Sequence, residues 1–254
     1  MQYIFNNQLK ANLKAGKTQF GAFITAPCPE VVEVLGTTGY DFVILDTEHT
    51  ASGIETVVDM MRAAEVYHMT PVVRVPDDTS KNLSRYQDVG AHGVQVPMVH
   101  TAQQAREIVQ AMKFMPAGRR GMSGGRGTRW GRIEDYRQVS NEETLIVVMC
   151  ESRQGLENID EIVRVEGVDA VFVGAFDLSQ ALGVPGQTTH PLVEEAIQHV
   201  LDACLKANVI PGIVAPGVEL ARRRAAQGFR MITVLDDMAF FADCVEDRLN
   251  RVKE

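Results

Sequence analysis

Charged side chains stand at the ends of apolar runs in this chain, where they could do acid–base or metal chemistry. Asp46-Thr47-Glu48-His49 follows the run that opens at Phe42, and Arg74 lies inside 70–76. Glu151 closes 145–151, Asp177 closes 170–177, and Asp236-Asp237 closes 231–237. Charge in such places is costly to bury unless it is paired or metal-bound. Side chains alternate along a strand, so Val147, Met149 and Glu151 share one face, as do Val171, Val173, Ala175 and Asp177. If both aliphatic sets face inward, Glu151 and Asp177 look into one space from neighbouring strands. Two carboxylates there suit a hard cation such as Mg2+ or Mn2+, which takes oxygen ligands and keeps positions open for substrate. Each residue also has a plainer reading. Asp177 would cap a helix starting near Leu178, Glu151 would pair with Arg153, His49 would be a bonded loop residue, and Arg74 a structural ion-pair partner. Co-location on one rim favours chemistry, and the residues alone support a metal-assisted lyase or hydrolase. None of the seven lysines falls in or at the C-terminal end of a predicted strand, which disfavours a Schiff-base mechanism.

The elements that must hold these residues alternate along the chain. Eight short runs rich in Val, Ile or Phe occupy 19–25, 42–48, 70–76, 93–99, 145–151, 170–177, 210–215 and 231–237. Most are nearly continuous in apolar residues, as parallel strands covered on both faces are. Helical patterns occupy 54–66, 102–112, 156–165, 191–207, 218–227 and 239–252. Pro191 suits a first helical turn and Gly228 a helix end. Eight such repeats close most economically into a (β/α)8 TIM barrel of class α/β, one domain over 1–254, with an extra helix near 6–15. An open doubly wound sheet is the alternative, but no Gly-x-Gly-x-x-Gly follows an early strand. A barrel carries its working residues at the C-terminal ends of its strands, where the charged groups above fall.

Composition removes other classes. The formal net charge of -8 argues against a broad nucleic-acid surface. No apolar stretch reaches membrane-spanning length, and residues 1–7 lack the basic, apolar start of a signal peptide. Cys28, Cys150, Cys204 and Cys244 form no Cys-x-x-Cys pair and read as reduced thiols of a cytoplasmic protein.

Several segments together resemble the HpcH/HpaI aldolase family. They are Phe42-Val-Ile-Leu-Asp-Thr-Glu-His49, Pro71-Val-Val-Arg74, Val96-Pro-Met-Val99, Pro116-Ala-Gly-Arg-Arg-Gly121, Glu166-Gly-Val-Asp-Ala-Val-Phe-Val-Gly174 and Asp177-Leu-Ser179. The resemblance implies a barrel that uses Mg2+, Mn2+ or Co2+ to cleave a 4-hydroxy-2-oxo acid reversibly to pyruvate and an aldehyde. It implies Glu151 and Asp177 as metal ligands and Arg74 as the contact to the pyruvate oxygen. It implies His49 as the base, with Asp46 or Asp88 as its carboxylate partner. The amides of Gly174, Ala175 and Phe176 would hold the substrate carboxylate. It also implies a homo-oligomer, a trimer or hexamer, with the last helix swapped onto a neighbour. Some positions depart from the family's pattern: Met149 stands where Gln is common, Gly174-Ala-Phe176 where Gly-Pro-Ala is familiar, and Thr47 and Leu235 replace glycines. Arg119, Arg120, Arg126, Arg129 and Arg132 crowd a Gly-rich loop on the predicted bottom face. Surface ion pairing is the default for that loop; Arg126 and Arg129 would bind a carboxylated aldehyde only by reaching a neighbouring barrel. Two other readings stay open: a lyase acting on CoA thioesters, and a non-catalytic barrel that binds an oxo acid.

Overall fold

The computed structural model describes residues 6–254. The first five residues, which carry most of the stretch read against a signal peptide, lie outside the described residues. The chain begins with α1 (Gln8–Lys14), β1 (Gln19–Ile24), α2 (Pro29–Thr37), β2 (Phe42–Asp46), α3 (Ile54–Val66) and β3 (Thr70–Arg74). It continues through α4 (Ser80–Asp88), β4 (Gly93–Val96), α5 (Ala102–Met112), α6 (Tyr136–Glu143), β5 (Leu145–Cys150), α7 (Arg153–Glu157) and α8 (Ile159–Ile162). It ends with β6 (Ala170–Val173), α9 (Ala175–Ala181), α10 (Pro191–Ala207), β7 (Ile210–Val214), α11 (Val218–Gln227), β8 (Met231–Asp236) and α12 (Asp237–Lys253). The strands form one closed parallel barrel in sequence order, β8 pairing with β1.

Strand alternation sorts the apolar residues into two layers. Val43, Leu45, Val94, Val96, Val171 and Val173 face the helices. Phe42, Ile44, Val72, Leu145, Val147, Met149, Ala170, Phe172 and Met231 fill the barrel. Each large inward ring needs a small partner. Gly212 pairs in register with Phe172 and Gly21 with Phe42, and a Cβ on Gly212 would stand 2.5 Å from Phe172 Cδ2. Helix α1 closes the N-terminal end, burying Leu9 and Leu13 against the inner layer. Its buried Lys10 donates to Thr144 O at 2.7 Å and to Asp169 at 2.8 Å, so the ammonium is not left unpaired. Among the described residues, no helix is long and apolar enough to cross a membrane.

All eight strands begin where the apolar runs begin, but every run overshoots at its C-terminal end. The sixth run is the largest case. β6 stops at Val173, its inward residues are Ala170 and Phe172, and Val171 and Val173 face outward, the reverse of the expected alternation. Asp177 therefore sits on the first turn of α9 rather than on a strand. Helices α2, α4, α6 and α9 fall outside the helical patterns expected from the sequence and complete the cover of the barrel.

Gly212→Ala should lower stability to urea by about 2 kcal/mol, because the added methyl overpacks Phe172 with little room to move. An unchanged unfolding midpoint would show that the barrel interior is less tightly filled than the register implies.

Candidate active site

The mouth of the barrel is organised around Asp46, the last residue of β2. Its carboxylate is fully buried and accepts from Arg74 Nε at 2.8 Å. It also accepts the backbone N–H groups of Glu48 at 3.0 Å and His49 at 3.4 Å. Burial alone would raise the Asp46 carboxyl, but these bonds and the Arg74 charge hold it below its ordinary value. Thr47 fixes the other side of the pair, donating through its N–H and its hydroxyl to Arg74 O at 3.0 and 2.6 Å. The Arg74 guanidinium stacks 4.6 Å over the Phe23 ring and lies 3.4 Å from Glu48 through the same Nε. Both Nη groups of Arg74 lack a hydrogen bond from the described residues, and Arg74 lines the mouth pocket.

Within reach of the Arg74 charge stands Glu151, just beyond β5 and almost fully buried. Its Oε1 accepts from Met98 N at 2.7 Å, and Met98 holds a left-handed φ of 53° to make that contact. Such a conformation costs roughly 1–3 kcal/mol in a non-glycine residue and marks a place where structure serves the site. Gly174 leaves room for the carboxylate, since a Cβ there would overlap Glu151 Oε2. Burial pushes the Glu151 carboxyl up to about 7; the charges of Asp177 and Glu48 add to this, while the Met98 N–H and Arg74 oppose it. Asp177 reaches the same pocket from α9. Glu48, half-buried, is raised by burial and by the charges of Asp46 and Asp177.

The mouth pocket is about 270 Å³ and includes Phe23, Arg74, Met149, Gly174, Ala175, Phe176 and Asp177 in its lining, with Glu151 packed against Gly174. A larger cleft of about 740 Å³ lies at the other end of the barrel, near Lys14, Asp169 and Arg230, away from every group just described. Among the described residues no three His, Cys, Asp or Glu side chains converge on one metal position. The donor set at the mouth is two carboxylates, Glu151 and Asp177. Oxygen donors with uncompensated negative charge fit a hard divalent cation that keeps open positions.

Several sequence expectations are corrected. The His49 imidazole is not bonded to Asp46; its side chain is 63% exposed, with Nε2 3.6 Å from Glu48. Asp46 instead serves Arg74 and the backbone. Asp88 ends α4 on the opposite face of the barrel, where its carboxylate accepts from the buried Arg120 at 2.7 Å. The Arg-rich loop lies on that face as expected, with Arg126 and Arg129 paired with Glu65 at 2.8 and 3.1 Å and Arg126 also donating to Val89 O. A chain fold that closes α4 and the Arg-rich loop onto the bottom cannot bring them to the mouth of the same barrel. The sequence marks Glu48 only as part of the rim; its place two residues after Asp46 is the signal for its role beside Arg74. Met98 gave no signal, because its contribution is a backbone N–H.

A closed (β/α)8 barrel with its polar groups gathered at the strands' C-terminal ends is the architecture of a barrel enzyme. The HpcH/HpaI aldolase/citrate lyase family model matches residues 19–243, and the chain belongs to that family. It is similar to the hydroxypyruvate/pyruvate aldolase of Chromohalobacter salexigens, 38% identical over 249 residues covering 97% of this chain and 98% of that protein. It is also similar to the 2-keto-3-deoxy-L-rhamnonate aldolase of Klebsiella pneumoniae, 34% identical over 255 residues covering 100% and 96%. The crystal structure of a family member from Burkholderia cenocepacia superposes with a TM-score of 0.93 at 32% identity, covering 98% of this chain and 100% of that one. The chain is thus an enzyme of the aldolase class.

Burial opposes ionisation of Glu65, yet the His92 bond and the charges of Arg126, His92 and Arg129 bring its carboxyl down to about 2. The stability this supplies is complete above the unfolded carboxyl's pKa, about 4.3, and is lost as pH falls from there toward 2. Glu65→Gln should cost about 2 kcal/mol at pH 7 and flatten the acid limb of stability against pH. A variant with an unchanged acid limb in urea titrations would contradict the pairing.

Proposed function

We propose that this enzyme is a metal-dependent aldolase that cleaves a 4-hydroxy-2-oxo acid reversibly to pyruvate and an aldehyde. The observation that carries this reading is a mouth pocket lined by Asp177 and by Arg74, whose Nη groups take no hydrogen bond from the described residues, with the buried Glu151 carboxylate packed against Gly174 of the same lining. Glu151 and Asp177 would hold Mg2+, Mn2+ or Co2+. A bound divalent cation supplies Lewis-acid stabilisation of negative charge on the 2-oxo oxygen.

The residues of the chain supply the rest. Arg74, fixed by Asp46 and Phe23, directs its Nη groups toward the oxygen where enolate charge develops when the C3–C4 bond breaks. The N–H groups of Ala175 and Phe176, in the first turn of α9 and without intrahelical acceptors, receive the substrate carboxylate. His49, exposed at the rim, takes the C4 hydroxyl proton in cleavage, directly or through water, and returns it in synthesis. Met149 and Phe23 make the floor of the pocket apolar and limit water beside the enolate.

The assembly proposed is a homo-oligomer of the cytoplasm, a trimer or hexamer, with one barrel domain per chain. Helix α12 supports it. Of its 17 residues only Asp237 is buried, while Phe240, Phe241, Val245 and Leu249 are exposed. An apolar helix face of that length fits a neighbouring copy better than water.

Pyruvate release from a hydroxy-oxo acid tests the chemistry. EDTA should abolish it and Mg2+, Mn2+ or Co2+ should restore it. Glu151→Gln should keep the melting temperature within a few degrees and bind Mn2+ about 100-fold more weakly by calorimetry, since a neutral amide is the poorer ligand. Full turnover after rigorous chelation, or a borohydride-trapped lysine adduct, would defeat the proposal.

A further inference from the structure

Two polar side chains inside the barrel have buried atoms without a hydrogen-bond partner among the described residues, Gln95 and Thr233. Both are fully buried. Thr233 leaves one hydroxyl unpaired and stands in register with Gly21 and Val214, neither of which is charged. Gln95 leaves both ends of its amide unpaired, donor and acceptor alike. Its neighbours on β4, Val94 and Val96, face the helices, so Gln95 faces the interior. Its register partners are Arg74 on β3 and Val147 on β5.

An unpaired buried amide is destabilising, and an apolar side chain of similar volume would fill this space without that cost. The feature that distinguishes the position is Arg74, whose Cα is the direct partner of Gln95 and whose Nη groups carry no hydrogen bond from the described residues. A guanidinium with free donors and an amide with a free acceptor and a free donor thus project from adjacent strands at one level of the barrel. The next inward residue above Val147 on β5 is Met149, which lines the pocket and brings no hydrogen-bonding group of comparable strength.

We propose that Gln95 contacts the substrate: its Oε1 accepts from an Arg74 Nη group, and its Nε2 donates to the 2-oxo oxygen of the acid in the mouth pocket. Gln95 lies one layer below the pocket lining, level with Val147, and rotation about its χ1 and χ2 raises the amide beside Arg74, where both unpaired ends are satisfied. The pair forms a two-residue donor set at the oxygen where enolate charge develops, with the amide coming from β4 rather than from the Met149 position of β5. The identity of the ligand as a 2-oxo acid rests on the aldolase reading; the existence of the contact is tested separately from it.

The test uses the full-length protein loaded with Mn2+ and two readouts, calorimetric affinity for oxalate, a planar mimic of the pyruvate enolate, and pyruvate release from a hydroxy-oxo acid. Gln95→Leu should weaken oxalate binding by at least about tenfold, the size expected for a hydrogen bond to a charged group. Its melting temperature should stay level or rise, because a buried unpaired amide has gone. Adding Met149→Gln to that variant should restore at least about threefold of the lost affinity by returning an amide from the neighbouring strand. If Gln95→Leu fails to fold, Gln95→Met, which keeps the length of the side chain, carries the same comparison. Affinity and turnover within about twofold of the parent would overturn the proposal. So would a loss accompanied by a lowered melting temperature and no recovery with Met149→Gln. A parent protein that binds oxalate but never releases pyruvate would sink the aldolase reading, while a loss of oxalate affinity in Gln95→Leu would still uphold the contact.

Discussion

The bond from Arg74 Nε to Asp46 sets the position of the guanidinium, and the chemistry of the mouth depends on that position. One carboxylate ties two parts of the mouth together: the end of β3 through Arg74, and the loop after β2 through the N–H groups of Glu48 and His49. Because Asp46 is fully buried, breaking the pair would leave a charge without a partner, which costs far more than the pair gains over an apolar substitute. The use of Nε alone is the functional detail. A fork-to-fork pair would have consumed an Nη group, whereas this geometry leaves both for a ligand while Phe23 covers the face of the group.

Around that fixed cation the protein has placed more acid than it neutralises. Asp46 is stabilised as an anion, but Glu151 is pushed up to about 7 by burial and by the nearby carboxylates. The strained backbone of Met98 and the missing side chain of Gly174 both serve to seat that same carboxylate. Rigid strands thus carry Asp46, Arg74 and Met149, while Asp177 and the first-turn amides of α9 come from the connection after β6. A site of this kind is preorganised on its barrel side and open on its loop side.

Much of this was legible in the sequence because alternation and apolar runs report burial directly. The eight strand starts and the inward pair Val147 and Met149 follow from that pattern. The strand ends do not, because at the mouth apolar residues continue past the last ladder bond into loops that line the pocket. Asp177 shows the consequence: counting alternation through Gly174 treated a helix turn as strand and reversed the faces of β6, although the residue still reaches the pocket. The partners of charged groups were equally hidden. Nothing in the spacing of Asp46, His49, Asp88, Arg126 and Glu65 reveals that Asp46 serves Arg74, or that Glu65 gathers two arginines on the far face. Such pairings join residues distant in sequence, and only closure of the barrel brings them together.

The central claim, that Arg74 stabilises the enolate while His49 moves the hydroxyl proton, is tested most directly by exchange of the C3 protons of pyruvate into deuterated water, followed by NMR with Mg2+ present. Arg74→Lys keeps the charge but loses the planar fork held by Asp46. The account predicts that this variant loses exchange and aldol cleavage together, each by about 100-fold. His49→Ala should lose cleavage by about 100-fold while keeping most of its exchange. Exchange in Arg74→Lys within about threefold of the parent, or equal losses of both reactions in His49→Ala, would contradict it.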